Sequence, residues 1–183
     1  MAESKNNIIT HGLSGKVGDI IVFSQRGGKT IVSKAPRKRT GEDSEKQKAQ
    51  QAKFQQAILY GKAVIKDPAQ KAIYEATGKS AYNVAVADLL NAPKIDNIDL
   101  TAYTGQAGDT IKVRVYDDFQ VKAVSVHIYN ADGTLLEEGY ATEQGIDWLY
   151  TATATNSDLA GDKIIVRATD TPDNMSELME TLP

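Results

Sequence analysis

The stretch Thr110-Ile-Lys-Val-Arg-Val-Tyr116 alternates apolar and polar residues. A strand with one buried face has this pattern, because successive side chains point to opposite faces of a sheet. Ala123-Val-Ser-Val-His-Ile-Tyr129 repeats the alternation and places Val124, Val126 and Ile128 on the apolar parity. The pattern therefore predicts two half-buried antiparallel strands.

Further strands are expected on both sides of this pair. Short β-branched or aromatic runs recur at intervals of roughly 8 to 14 residues between turn signals such as Asn130-Ala-Asp-Gly133. The predicted strands cover residues 98–103, 110–116, 123–129, 134–140, 148–153, 163–168 and 176–181. About seven short strands at this spacing are typical of a β-sandwich, with Trp148 in its core.

The preceding segment has helical rather than alternating periodicity. Helices are predicted over residues 45–66, 68–76 and 80–91. Ser44 and Gln47 have the spacing of a capping box at the start of the first helix. Asp67 and Pro68 mark the start of the second, because proline is tolerated in the first helical turn.

A β-hairpin is predicted upstream of the helices. Two apolar runs, residues 19–24 and 30–34, flank a turn that contains Gly27 and Gly28. Glycines supply the positive φ angles that tight hairpin turns require. The sequence therefore predicts a two-stranded ribbon near the N-terminus.

Both faces of this ribbon are predicted to be apolar. Strict alternation places Ile20 and Val22 on one face, and Ile21 and Phe23 on the other. An isolated two-stranded ribbon is marginally stable in water and cannot bury both faces. A helix, the second domain or another subunit is therefore expected to cover it.

The charge of the chain divides by position. Residues 1–93 contain 15 Lys and Arg against 8 Asp and Glu, whereas residues 94–183 contain 6 against 16. The expected fold class is α+β in two modules: a basic hairpin-plus-helices assembly module over 1–93 and an acidic immunoglobulin-like β-sandwich over 94–183. Opposite charges favour different partners, or attraction between successive copies.

The C-terminal part resembles a known class of domain. It contains Asp117-Asp-Phe119 before a valine-rich strand and Leu159-Ala-Gly-Asp-Lys-Ile-Ile-Val-Arg-Ala-Thr-Asp170 followed by Asp173-Asn174. On these residues the segment 96–183 resembles bacterial immunoglobulin-like and fibronectin-type-III-like domains. The resemblance implies an antiparallel sandwich, an architecture that hosts unrelated functions.

The N-terminal part carries a second resemblance. Leu13-Ser-Gly-Lys-Val-Gly-Asp-Ile-Ile-Val-Phe23 is followed by Pro36-Arg-Lys-Arg39 and the Gln- and Lys-rich segment 46–54. Over roughly the first 65 residues this pattern resembles an uncharacterised family of Bacteroidetes-type bacteria and their tailed phages. The phage context implies a virion or assembly role.

No catalytic constellation can be nominated from the sequence, so an enzyme and a bound cofactor are not expected. Gly78-Lys79-Ser80 and Gly28-Lys29-Thr30 resemble the end of a phosphate-binding loop, but Ile73 and Phe23 stand where that motif needs its first glycine. These glycines are interpreted as turn residues.

A transition-metal site is not expected either. The chain has no cysteine, and its only histidines are His11 and His127. His127 and Ser125 lie on the outward face of their predicted strand, and this position favours a surface histidine.

Acidic loop residues form the metal candidate. Asp117, Asp118, Asp170, Asp173 and Asn174 could gather at one end of a sandwich and offer oxygen ligands to calcium. The alternative is that these residues cap turns and stay solvated.

A partner-binding surface is predicted on the hairpin and the basic segment after it. Its candidate residues are Ile20, Ile21, Val22, Phe23, Arg26, Ile31, Val32, Arg37, Lys38, Arg39, Lys46 and Lys53. The cations of segment 34–53 could dock on an acidic protein or neutralise the phosphates of a nucleic acid. The cluster lacks aromatic residues and the sequence pI is 5.4, which favours a protein partner.

The function expected from these features is that of a non-enzymatic structural or assembly protein, forming a homo-oligomer or part of a larger particle such as a virion. A nucleic-acid-associated protein that uses segment 34–53 is the alternative. The N-terminus lacks a secretory apolar region and no apolar run reaches the roughly 18 residues of a membrane span. Synthesis in the cytoplasm and no membrane partner are therefore expected.

Overall fold

A computed structural model describes residues 2–4, 9–36 and 41–183. The chain divides into two compact units, Met1–Ser44 and Glu45–Pro183. No helix within the described ranges is long and apolar enough to cross a membrane.

The N-terminal unit contains a four-stranded antiparallel sheet. Its strands are β1 (Ala2–Ser4), β2 (Gly15–Val17), β3 (Ile21–Arg26) and β4 (Lys29–Lys34), in the order β1-β4-β3-β2. The predicted hairpin corresponds to β3 and β4. Its two-residue turn is made by Gly27 and Gly28, whose φ angles are 56° and 74°.

Two details of the hairpin prediction were wrong. The hairpin is not a two-stranded ribbon, because β1 pairs with β4 and β2 pairs with β3. The second detail is the position of Ile20. Ile20 lies in the turn before β3, where its carbonyl accepts a hydrogen bond of 2.9 Å from Ala35 N, so it does not share a strand face with Val22. The strand starts at Ile21 because the tight turn of residues 18–20, with Gly18 at φ 54°, returns the chain from β2.

The C-terminal unit begins with three helices, α1 (Glu45–Val64), α2 (Pro68–Glu75) and α3 (Ala81–Leu90). The side chain of Asp67 accepts from the backbone N–H groups of Ala69 and Gln70, which confirms the predicted start of α2. The helices enclose a small core of Val64, Tyr74, Ala81 and Ala85.

Two four-stranded antiparallel sheets complete this unit. The first has the order β5 (Lys94–Asp99), β6 (Thr110–Tyr116), β10 (Asp147–Thr151), β9 (Thr142–Gln144). The second has the order β12 (Met175–Thr181), β11 (Lys163–Asp170), β7 (Val121–Tyr129), β8 (Leu135–Tyr140). All seven predicted strands have a counterpart, although the first lies at 94–99 rather than 98–103.

The inward-facing side chains of the two sheets form one apolar core. Ile111, Val113, Val124, Val126 and Ile128 are fully buried in it, as the alternation predicts. Trp148 packs against this core and is partly buried. The chain is thus an α+β protein whose antiparallel sheets are compatible with a β-sandwich.

The helices and the two sheets belong to the same unit. Phe119, which follows β6, packs into the small helical core, where its ring stacks on Tyr74 with centroids 4.4 Å apart. The expected layout of modules over 1–93 and 94–183 is therefore not confirmed, since the division between units lies at Ser44 and Glu45.

Candidate functional site

Three carboxylates meet near the end of α3 and the ends of strands β6 and β11. Asp88 comes from α3, Asp117 directly follows β6, and Asp170 is the last residue of β11. One oxygen from each lies within 4.8 Å of the others. These residues are called the carboxylate cluster below.

Asp88 is fully buried on the inner face of α3. Its Oδ2 accepts a hydrogen bond of 2.6 Å from the Tyr74 hydroxyl, which lies 2.8 Å from the hydroxyl of Tyr60. Its Oδ1 is buried without a hydrogen-bond partner. A buried carboxylate oxygen without a donor is rare in proteins, because it has lost its water without compensation.

Asp170 is also fully buried and is held by Asn174. The backbone N of Asn174 donates to Asp170 Oδ1 at 2.6 Å, and its side-chain Nδ2 donates to Asp170 Oδ2 at 2.7 Å. The same Nδ2 lies 3.0 Å from the carbonyl oxygen of Asp88 and 3.2 Å from that of Asn91. Asn174 therefore joins the end of α3 to the turn between β11 and β12.

Asp117 is partly buried and caps its own turn. Its Oδ2 accepts from the backbone N–H groups of Phe119 at 3.4 Å and Gln120 at 3.2 Å. Its Oδ1, like that of Asp88, is buried without a hydrogen-bond partner.

The electrostatics of the cluster disfavour three negative charges. The pKa of Asp88 is raised to about 7, first by burial and then by the charges of Asp170 and Asp117, while the hydrogen bond from the Tyr74 hydroxyl opposes the shift. Burial likewise raises the pKa of Asp170, against the hydrogen bonds from Asn174. Such a group of carboxylates is stabilised by a bound cation or by a shared proton.

The structure brings together three of the five acidic-loop candidates: Asp117, Asp170 and Asn174. Asp118 lies outside the cluster and accepts from Asn91 Nδ2 at 2.5 Å. Asp173 is exposed and pairs with Lys122 Nζ at 2.6 Å.

Sequence reasoning missed Asp88. The signal was available, because Asp88 lies three residues after Ala85 and therefore on the apolar face of α3. A charged residue on a buried helix face requires a partner. That partner could not be named before the positions of β6 and β11 were known.

A cleft beside α3 is lined by one member of the cluster, Asp88. Its walls include Lys79, Ser80 and Asn83 near the start of α3, and Asp118 and Phe119 after β6.

His127 lies on the outward face of β7, as the sequence predicts, but it is not the expected surface histidine, because its side chain is only 12% exposed. Its Nδ1 is 2.8 Å from Glu138 Oε2, and its Nε2 is 3.1 Å from Ser125 Oγ. His11 is exposed in the N-terminal unit.

The candidate partner-binding residues have different environments. Ile20 is 72% exposed, Arg26 and Lys46 are exposed, and five apolar residues of β3 and β4 are half-buried: Ile21, Val22, Phe23, Ile31 and Val32. Lys53 donates to the carbonyl oxygen of Leu90 at 2.8 Å and so has a partner within its own unit. Arg37, Lys38 and Arg39 lie outside the described residues.

Comparisons with known proteins add little to this geometry. No family model and no curated protein matches the chain. Among solved structures, the crystal structure of CopC from Methylosinus trichosporium OB3b is 17% identical with a TM-score of 0.35, covering 48% of this chain and 87% of that one. A similarity at this level does not indicate the function of this chain, which is therefore inferred from its own residues.

Proposed function

We propose that this chain is a non-enzymatic structural protein that assembles through its N-terminal sheet, with a second copy of the chain as the neighbour. The observation that carries the proposal is the exposure of apolar side chains on that sheet and on the turn that leads into β3. Ile20 is 72% exposed and Val17 is 59% exposed.

The register of the sheet places apolar residues on both faces. Phe23 lies opposite Val32 and Ile21 lies opposite Val17, so these four residues share one face. The other face carries Val22 and Ile31. The side chains on both faces are at least partly exposed: Val17, Ile21, Phe23 and Val32 on one face, and Val22 and Ile31 on the other.

The N-terminal unit also lacks a core of its own in its described part. Only Thr30 and Ala35 are buried within residues 9–36 and 41–44. A sheet with half-covered apolar faces is stabilised when another polypeptide covers them.

Charge supports a second copy as that polypeptide. Residues 1–44 contain eight Lys and Arg against four Asp and Glu, whereas residues 45–183 contain thirteen against twenty. Basic N-terminal units would therefore be attracted to acidic C-terminal units of neighbouring copies. In a larger particle, including a virion, the immunoglobulin-like sandwich would be displayed for interaction.

The test is the molar mass in solution, measured by light scattering over a range of protein and salt concentrations. We expect an oligomer that dissociates on dilution and, because charges contribute, dissociates more readily in high salt. A monomer at every concentration and salt would contradict the proposal.

A matched pair of variants locates the interface. Ile20 and Ile146 are exposed to 72% and 73%, respectively, in different units. Ile20→Asp should weaken self-association about tenfold or more, since it places a charge in an apolar contact, whereas Ile146→Asp should leave it unchanged. Unchanged self-association of Ile20→Asp would contradict a contact through the N-terminal unit.

The nucleic-acid alternative is separated by titration of labelled DNA. Binding through phosphates would fall steeply with salt and would not respond to Ile20→Asp. Such binding by a monomeric protein would favour the alternative over assembly.

A further inference from the structure

We propose that Asp88, Asp117 and Asp170 form a calcium site that fastens helix α3 to the ends of strands β6 and β11. This inference is independent of the proposed assembly role, because it concerns the C-terminal unit alone.

The spacing of the three carboxylates fits a common cation. Their ligand oxygens lie within 4.8 Å of one another. Oxygens that bind one calcium ion at about 2.3 to 2.6 Å can be separated by at most about 5 Å. A single ion can therefore contact all three side chains.

The second observation is the pair of oxygens without donors. Asp88 Oδ1 and Asp117 Oδ1 are both buried and lack a hydrogen-bond partner, and the Asp88 side chain is fully buried. Every other carboxylate oxygen described for Asp88, Asp117 and Asp170 accepts a hydrogen bond. The two oxygens thus have the environment of metal ligands rather than of capping groups.

The donor set favours calcium over other metals. All three donors are carboxylates, which are hard ligands, and the cluster includes no histidine or cysteine. Calcium accepts six to eight oxygens in irregular arrangements, whereas magnesium requires a near-octahedral set and keeps several waters. A buried cluster whose three carboxylates come from separate elements suits the irregular coordination of calcium better.

Such an ion would join three elements that are far apart in the sequence. Asp88 belongs to the helical segment, whereas Asp117 and Asp170 follow or end strands of different sheets. Calcium should therefore stabilise the folded C-terminal unit, because the ligands come together only after folding.

Calcium binding is tested on the full chain after removal of metals with a chelator. Calorimetric titration with calcium chloride should show one site per chain. A hundredfold excess over the dissociation constant should raise the midpoint of thermal unfolding by roughly 5 °C or more. Magnesium chloride should give a smaller shift.

The variants Asp88→Asn and Asp170→Asn should each lower the calcium affinity about tenfold or more. Asp173→Asn is the control, because Asp173 lies in the same loop but is exposed and pairs with Lys122; it should bind calcium normally. Asp117→Asn, at a partly exposed position, provides the test if substitution of a fully buried aspartate prevents folding.

Two results would overturn the proposal. One is the absence of both binding heat and thermal shift with calcium in the unmodified chain, which would leave a shared proton as the explanation of the close approach of the three carboxylates. The other is an equal loss of affinity in Asp173→Asn and Asp88→Asn, which would place the ion in the exposed loop.

Discussion

The ring of Tyr74 stacks on the ring of Phe119, with centroids 4.4 Å apart and planes 24° from parallel. Tyr74 belongs to α2, and Phe119 lies between β6 and β7. The hydroxyl of Tyr74 also donates to Asp88 on α3. One side chain thus connects two helices with the sandwich, which explains why the helices and the sheets form one compact unit.

The first prediction is that helices and sandwich unfold together. Far-ultraviolet circular dichroism follows the helices, and fluorescence of the single tryptophan, Trp148, follows the sandwich. Their urea transitions should coincide. Phe119→Ala should lower the free energy of unfolding by about 2 to 3 kcal/mol in both signals, because it leaves a cavity beside Tyr74. Two separate transitions would instead indicate independent modules.

The second prediction concerns Gly61, where α1 lies close to α3. A Cβ at this position would lie 2.7 Å from Val86 Cγ2 and 3.0 Å from the ring of Tyr82. Alanine in place of glycine normally stabilises a helix by up to about 1 kcal/mol. Here Gly61→Ala should instead reduce the free energy of unfolding by about 1 to 3 kcal/mol, through overpacking.

Urea unfolding of Gly61→Ala and of Gln55→Ala, an exposed position on the same helix, would measure the effect. Gln55→Ala should be close to neutral. A stabilised Gly61→Ala variant would contradict the prediction, because it would show that α1 and α3 can move apart without a loss of stability.

The third prediction is a pH dependence through Glu137. Its Oε2 accepts from Thr153 N at 2.8 Å, Thr153 Oγ1 at 2.7 Å, Tyr150 OH at 3.0 Å and Ala154 N at 3.2 Å. Burial alone would raise the pKa of Glu137, but these hydrogen bonds to the charged form outweigh it and lower the pKa. The stabilisation is therefore present above the pKa of the unfolded chain and is lost as the pH falls through the folded value.

Glu137→Gln should lower the free energy of unfolding by about 1.5 to 3 kcal/mol near neutral pH, as expected for hydrogen bonds to a charged group. The difference from the unmodified chain should shrink at acidic pH, where both side chains are uncharged. Urea unfolding at both pH values measures it. A difference that stays constant with pH would contradict the role of the charge.

The fourth prediction concerns Asn174, whose Nδ2 donates to Asp170 and lies close to the carbonyl oxygens of Asp88 and Asn91. Asn174→Ala should lower the free energy of unfolding by about 1 to 3 kcal/mol, because buried acceptors lose their donor. Met175→Ala is the control, since Met175 is 58% exposed. If Asn174→Ala and Met175→Ala have equally small effects on thermal unfolding, water replaces the hydrogen bonds of the Asn174 amide.

Several elements could be predicted because their signals are local. The alternation of 110–116 and 123–129 gave the strands and their buried faces, and Gly27 and Gly28 gave the turn of the hairpin. Asp67 and Pro68 gave the start of α2. The three-residue strands β1, β2 and β9 were not predicted, because a strand of that length is too short to show a period.

The candidate site could be predicted only in part. Asp117, Asp170 and Asn174 were recognised as a group because turns at one end of a sandwich lie near each other. Asp88 was missed, and Asp118 and Asp173 proved to pair with Asn91 and Lys122. The sequence shows which residues follow a strand, but it does not show towards which neighbour each side chain points.

The sequence by itself determined the helices, the main strands, the hairpin turn and the unequal distribution of charge, because each depends on residues close together in the chain. Tertiary structure decided that the helices join the sandwich, and that Asp88 meets Asp117 and Asp170. The physical reason is that both features depend on contacts between residues far apart in the sequence: Phe119 packs into the helical core, and Asn174 lies within hydrogen-bond distance of carbonyl oxygens at the end of α3. Such contacts bring Asp88 close to carboxylates from distant parts of the chain. Local sequence patterns do not extend over so many residues.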